Sequence, residues 1–124
     1  MIYQKYDIVS TWVGFGKNDA RGKYRPVLIT DIHGKYYNAI AITKHDPRSE
    51  FEGEFEIKDW KQANLRFPST ARFVVQVITE DKLIKKKIGR LTDTDIEEIK
   101  KLEESLIRTD DISVNELLEW TSLL

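Results

Sequence analysis

Arg25 is the side chain with the plainest chemistry to offer in this chain of 124 residues. It sits in "GKYRPVLIT", residues 22–30, between a basic, aromatic pair and a run that reads as a buried strand. Pro26 fixes the backbone φ just after it and the following strand anchors it, so the guanidinium is held rather than left to wander. A held guanidinium is a rigid fork of donors shaped for phosphate oxygens, a geometry that lysine does not match. Around it lie Lys17, Arg21 and Lys23, with Tyr24 and Phe15 able to stack on unpaired bases. The chemistry this spacing suggests is the binding of a polyanion. Each residue alone also has a plain reading, that of a solvated surface charge.

Few other groups could take part in a reaction. His45 has an imidazole suited to proton transfer near neutral pH, whereas His33, beside Gly34, reads as part of a turn. There is no cysteine, and neither histidine forms a metal-ligand cluster with neighbouring carboxylates, so no metal and no cofactor are expected. The run Lys85-Lys86-Lys87 could add phosphate contacts, although such runs are usually solvated faces. Charge is unevenly spread. Residues 1–90 carry 17 Lys and Arg against 11 Asp and Glu, while residues 91–124 carry 3 against 10. A basic body with an acidic tail fits a polyanion-binding surface and a separate acidic segment.

The length is that of one domain, and a content of 40% hydrophobic and 33% charged residues is that of a globular one. No apolar run approaches the roughly 18 residues of a membrane span. The first ten residues lack the order of a signal peptide. A soluble cytoplasmic protein is the expectation.

Stepping along the chain, "YDIVSTWVGF" has the β-branched and aromatic enrichment of a strand. "GFGKNDARGKYR", with its glycines at 14, 16 and 22, reads as a mobile basic loop. "PVLITDI" and "KYYNAIAIT" are strand-like and separated by His33-Gly34, a hairpin turn. "HDPRSE" reads as a turn because Pro47 pushes Asp46 away from helix. "FEGEFEI" alternates apolar residues with Glu52, Glu54 and Glu56, a strand with one wet face. "TARFVVQVIT" is a further strand. Beyond residue 90 the period changes. Thr92 is a good N-cap with Asp95 three residues on, resembling a capping box, and Ile96, Ile99, Leu102 and Leu106 line one helical face. Ser113 precedes a short amphipathic run through Val114, Leu117, Leu118 and Trp120. Short strands followed by helices predict an α+β, mainly β fold: a small β-barrel or bent sheet over residues 1–90, with a helical acidic tail over 91–124, in one domain.

Four motifs in register resemble the MazF/PemK (Kid)-like toxins of type II toxin–antitoxin systems. They are "KYRPVLIT", "AIAIT", "FPSTAR" and "KKKIGRLTDTDIEEI", and the likeness runs over roughly residues 5 to 102. The resemblance implies an SH3-like barrel of the CcdB/MazF type, a homodimer, and a metal-independent endoribonuclease. In that family the RNA's own 2′-OH attacks the neighbouring phosphorus, leaving a 2′,3′-cyclic phosphate and a free 5′-OH. Its essential arginine falls on Arg25, its essential threonine on Thr43, and a second arginine on Arg72. Lys44 and His45, directly after Thr43, join Phe15, Lys17, Arg21, Lys23 and Tyr24 as expected RNA contacts. An antitoxin partner is implied as well, and "DDISVNELLEW" in the tail has a composition similar to the segments with which antitoxins cover RNA grooves. Residues 109–124 are therefore expected either to cover a basic surface or to pack through Leu117, Leu118 and Trp120.

The chain departs from the family pattern at one point. An acidic residue commonly follows the second arginine by two positions, and Val74 stands there, with Val75 after it. Asp19 is the nearest substitute. The departure keeps open a second reading, a nucleic-acid- or protein-binding module without catalysis, and a third, a CcdB-like gyrase inhibitor, ranks last.

Overall fold

The computed structural model describes residues 3–16, 19–44 and 53–105. Six strands follow one another: β1 (Asp7–Gly16), β2 (Asp19–His33), β3 (Tyr36–Thr43), β4 (Glu54–Ile57), β5 (Ser69–Thr79) and β6 (Leu83–Arg90). All pair antiparallel in one sheet of order β4-β5-β3-β2-β1-β6, curled into a half-barrel. A helix, α1, follows, and its described part is residues 93–105. The mainly β, α+β architecture expected from the strand pattern is the one observed.

Period-two alternation explains how one sheet serves two apolar clusters. Ile8, Leu28, Ile40, Ile42, Phe55, Ile57 and Ala71 face one way and pack with Leu91, Ile96 and Ile99 of the helical segment. Val9, Val27, Ile29 and Ala39 face the other way and pack with Tyr3, Tyr37 and Ile78. Ile96 and Ile99 are buried and Leu102 half-buried, as a helix with one apolar face requires. The β2–β3 hairpin turns through Gly34 and Lys35, with Gly34 at φ 59°, a conformation that costs glycine little.

The loop expectation is corrected. The stretch read as a mobile loop is a β-ribbon: Thr11 pairs Arg25, Trp12 pairs Tyr24, Gly14 pairs Gly22 and Gly16 pairs Asp19. Its glycines signalled a loop, yet cross-strand pairing, which local sequence cannot display, keeps it extended. The lysine run forms β6, an edge strand that pairs only with β1 among the described strands. Edge strands carry lysine readily because the charge discourages pairing with a further chain.

A compact turn over residues 58–65 follows β4 on the way to β5 and is clasped against β6 and α1. Leu65 N–H donates to Trp60 C=O (2.9 Å) and Asn64 N–H to Lys61 C=O (3.0 Å), with Asn64 at φ 66°. This is the hydrogen-bond pair of a Schellman cap with Asn in the left-handed position, and Trp60 and Leu65 supply its apolar contact on the core. Three clasps hold it. Asn64 Nδ2 donates to Ile88 C=O at 2.7 Å. Gly89 lies so close that a Cβ there would fall 1.9 Å from the Ala63 carbonyl oxygen. The buried Asp95 carboxylate accepts the N–H groups of Lys58 (3.2 Å) and Asp59 (2.9 Å).

Thr92 caps α1 as its sequence suggests, its hydroxyl accepting Asp95 N–H at 3.4 Å. The capping-box reading of Asp95 is corrected, because its side chain reaches across to the 58–65 turn. The Thr92 hydroxyl also donates to Asp59 Oδ2 at 2.7 Å, closing the network. The turn read at 45–50 and the helical run from Ser113 lie outside the described residues, as does the tail 109–124.

Candidate nucleic-acid cleft

The β2–β3 ladder ends at Val27 and Ala41, so beyond that point β2 has no partner on that side among the described strands. Lys23, Tyr24, Arg25 and Pro26 there form one wall of a cleft of about 950 Å³. Ile42, Thr43 and Lys44 at the end of β3 form the next wall, Asn64 to Phe67 the wall beyond, and Lys87 and Ile88 of β6 close it. The cleft opens because β3 ends at Thr43, and the clasped turn at 58–65 decides where Asn64 to Phe67 stand.

Arg25 and Thr43, separated by eighteen residues in sequence, thus line one cleft. Arg25 is exposed and Thr43 half-buried, its hydroxyl donating to Thr70 C=O at 3.4 Å, a long bond that is easily exchanged. Lys23, Tyr24 and Lys44 line the cleft too. Strand alternation sets Arg21, Lys23 and Arg25 on one face of β2, an order that a loop reading conceals. Tyr24 stacks edge to face with Trp12, ring centroids 5.1 Å apart.

Other expected site residues fall elsewhere. Arg72 is half-buried on β5, opposite Ala41 on one side and Glu54 on the other, and does not line the cleft. Phe15 lies on β1, and Lys17 and His45 lie outside the described residues. Val74, at the position where the family commonly has a carboxylate, is exposed on β5. Sequence reasoning missed Asn64, Arg66, Phe67 and Ser69, because only the folded turn brings them against β2. Phe67, an aromatic placed before Pro68, was the one local signal.

The electrostatics are one-sided. Lys23, Arg25, Lys44, Arg66 and Lys87 line the cleft, and no carboxylate or histidine does among the described residues. Lys87 is held from behind: its Nζ lies 3.3 Å from Oδ1 of the fully buried Asp7, which also meets Arg90 Nη1 at 3.2 Å. Asp7 in turn accepts Gln4 N–H at 2.8 Å. The surplus of fixed cations and the flanking aromatic rings suit a flexible polyanion with unpaired bases. Among the described residues no group of three His, Cys, Asp or Glu gathers as a metal would need, and no helix is long and apolar enough to cross a membrane.

A small curled β-sheet with a cationic cleft where β3 ends is the class that fold and site define. Within that class, the family profile of the PemK-like, MazF-like toxins of type II toxin–antitoxin systems matches residues 4–106, and the chain belongs to this family. No individually curated protein matches it. Family membership makes it the toxin half of a toxin–antitoxin pair, whose partner is an antitoxin.

Proposed function

We propose that this toxin is a metal-independent endoribonuclease that cuts single-stranded RNA in the cytoplasm. The observation that carries the reading is the cleft, where five cations line the walls with no carboxylate among the described residues, and where Arg25 and Thr43, the pair on which the family's essential arginine and threonine fall, stand together. In the reaction a 2′-oxygen bonds to the adjacent phosphorus and loses its proton. The bond from phosphorus to the 5′-oxygen breaks, and that oxygen takes up a proton. Negative charge grows on the non-bridging oxygens, so fixed donors aimed at them lower the barrier. The Arg25 fork supplies such donors. The Thr43 hydroxyl, released from its long bond to Thr70, supplies another. Lys23, Lys44 and Lys87 hold the flanking phosphates. Arg72, outside the cleft, stays a candidate on the ground of resemblance alone.

The edge of β5 supports a homodimer. β4 pairs with β5 over Ser69–Arg72 and Phe73 N–H donates to Gly53 C=O at 2.7 Å, leaving residues 74–79 without a neighbour on that side among the described residues. That stretch carries no charge and no proline, and Val74, Val75 and Val77 are 52%, 54% and 63% exposed. Such an edge is normally covered, and a two-fold antiparallel pairing of it would oppose no like charges.

A second reading is favoured by one observation. No histidine or carboxylate stands among the described residues of the cleft lining to receive the 2′-OH proton, which suits a module that binds RNA without cutting it. Incubation of a long single-stranded RNA in EDTA, with mapping of the product ends, separates the two. Cleavage to 2′,3′-cyclic phosphate ends that disappears in Arg25→Ala is expected. RNA left intact by the folded wild-type protein would overturn the enzyme reading and leave the binding one.

A further inference from the structure

Phe67 is a large apolar side chain, 49% exposed, in the wall of a cationic cleft. Its backbone is pinned. The buried Ser69 donates its hydroxyl to the Phe67 carbonyl at 2.7 Å, and Pro68 restricts Phe67 to extended backbone. The backbone that carries the ring is therefore held at the cleft wall. The Nζ of Lys44 lies over it, 4.2 Å from the ring centroid. Lys44 directly follows Thr43, which lines the same cleft, so the ring stands beside the site of reaction.

We propose that Phe67 is the base-stacking platform of this cleft, taking the nucleobase next to the scissile phosphate, with Lys44 as a cation that leaves the ring for a phosphate when the strand binds. This rests on the reading of the cleft as a single-stranded RNA site. An ammonium over an aromatic face at an accessible site gains only about 0.5–1 kcal/mol, less than a base gains by stacking, and the ammonium recovers its loss by pairing with phosphate. One nucleotide thus replaces the resting contact with two. The ring supplies affinity for a base without reading its edge, so it distinguishes unpaired from paired strands rather than one base from another.

Binding to chains that cannot be cut provides the test. Two probes are titrated by fluorescence anisotropy over a range of salt: a mixed-sequence 2′-deoxy oligonucleotide, and a tetrahydrofuran chain of equal length that has phosphates and no bases. Wild type is expected to prefer the base-bearing probe. Phe67→Leu should weaken that probe alone, by roughly 5- to 150-fold, and Phe67→Trp should restore it. Lys44→Met should reduce the magnitude of the log–log salt slope by about 0.7 for both probes while the preference for bases persists. If Phe67→Leu, folded by its circular dichroism, keeps the full preference, the inference is overturned while the cleft remains an RNA site. Failure of the wild type to bind either probe removes both readings.

Discussion

Asp95 offers the sharpest test of the structural reasoning, because two readings of it predict different magnitudes. As the second half of a capping box it would contribute at the scale of a helix cap, about 1 kcal/mol. In the fold its carboxylate instead holds the N–H groups of Lys58 and Asp59, at 3.2 and 2.9 Å, with the side chain fully buried. Hydrogen bonds to a charged acceptor contribute about 1.5–3 kcal/mol each. Two bonds with partly buried donors point to the lower end for each, so Asp95→Ala should cost about 3 kcal/mol. That corresponds to a fall in melting temperature on the order of 10 °C. Thr92→Ala, which removes the cap hydroxyl and its bond to Asp59, should cost about 1–2 kcal/mol. Asp95→Asn, which keeps one acceptor oxygen, should fall between wild type and Asp95→Ala. Urea unfolding of the three variants under one linear extrapolation measures all of this. The same substitution loosens the turn that places Asn64 to Phe67, so Asp95→Ala should also weaken oligonucleotide binding without touching the cleft. A cost for Asp95→Ala of about 1 kcal/mol or less, equal to that of Thr92→Ala, would refute the clasp and restore the capping box.

Two further outcomes follow from the same structure. Tyr6 and Tyr37 are buried, and the loss of hydration on burial, with their bonds to Glu103 (3.1 Å) and Glu80 (3.0 Å), pushes both phenols up to about 12. A raised folded pKa means that their stabilisation is complete below the ordinary value of about 10 and is lost as the pH rises through about 12. An alkaline titration of tyrosinate absorbance should therefore show a late phase, removed in Tyr6→Phe with Tyr37→Phe; a titration complete below about pH 11 contradicts the burial argument. On the β5 edge, Val77→Lys should break the proposed dimer into monomers in sedimentation while leaving the far-ultraviolet circular dichroism unchanged, and a variant that stays dimeric rules out pairing through that edge.

Legibility from the sequence varied with how local the cause was. The β2–β3 hairpin was readable because Gly34 and the apolar alternation around it lie within one short segment. The Thr92 cap and the Ile96–Ile99–Leu102 face were readable for the same reason. Part of the candidate cleft was legible too: Arg25 is marked by Pro26 and the strand after it, and Thr43 by the family motif that ends in it. The ribbon over Thr11–Arg25 was misread because glycines weaken strand propensity, whereas pairing across the ribbon decides the outcome. The turn at 58–65 escaped because its left-handed position holds Asn64 where glycine is the usual marker.

The sequence by itself determined the family, the alternation that splits apolar residues between two faces of a sheet, and the presence of an anchored arginine. Those follow from side-chain chemistry and short-range period. Only the tertiary structure decided that β2 loses its β3 neighbour beyond Val27, that Gly89 must lack a Cβ to let Ala63 approach, and that Asp95 serves a turn 36 residues away. It alone set Phe67 and Lys44 in contact and left Arg72 outside the cleft. Each of these depends on where one backbone ends against another, and that is fixed by hydrogen bonds and packing between segments far apart in the chain.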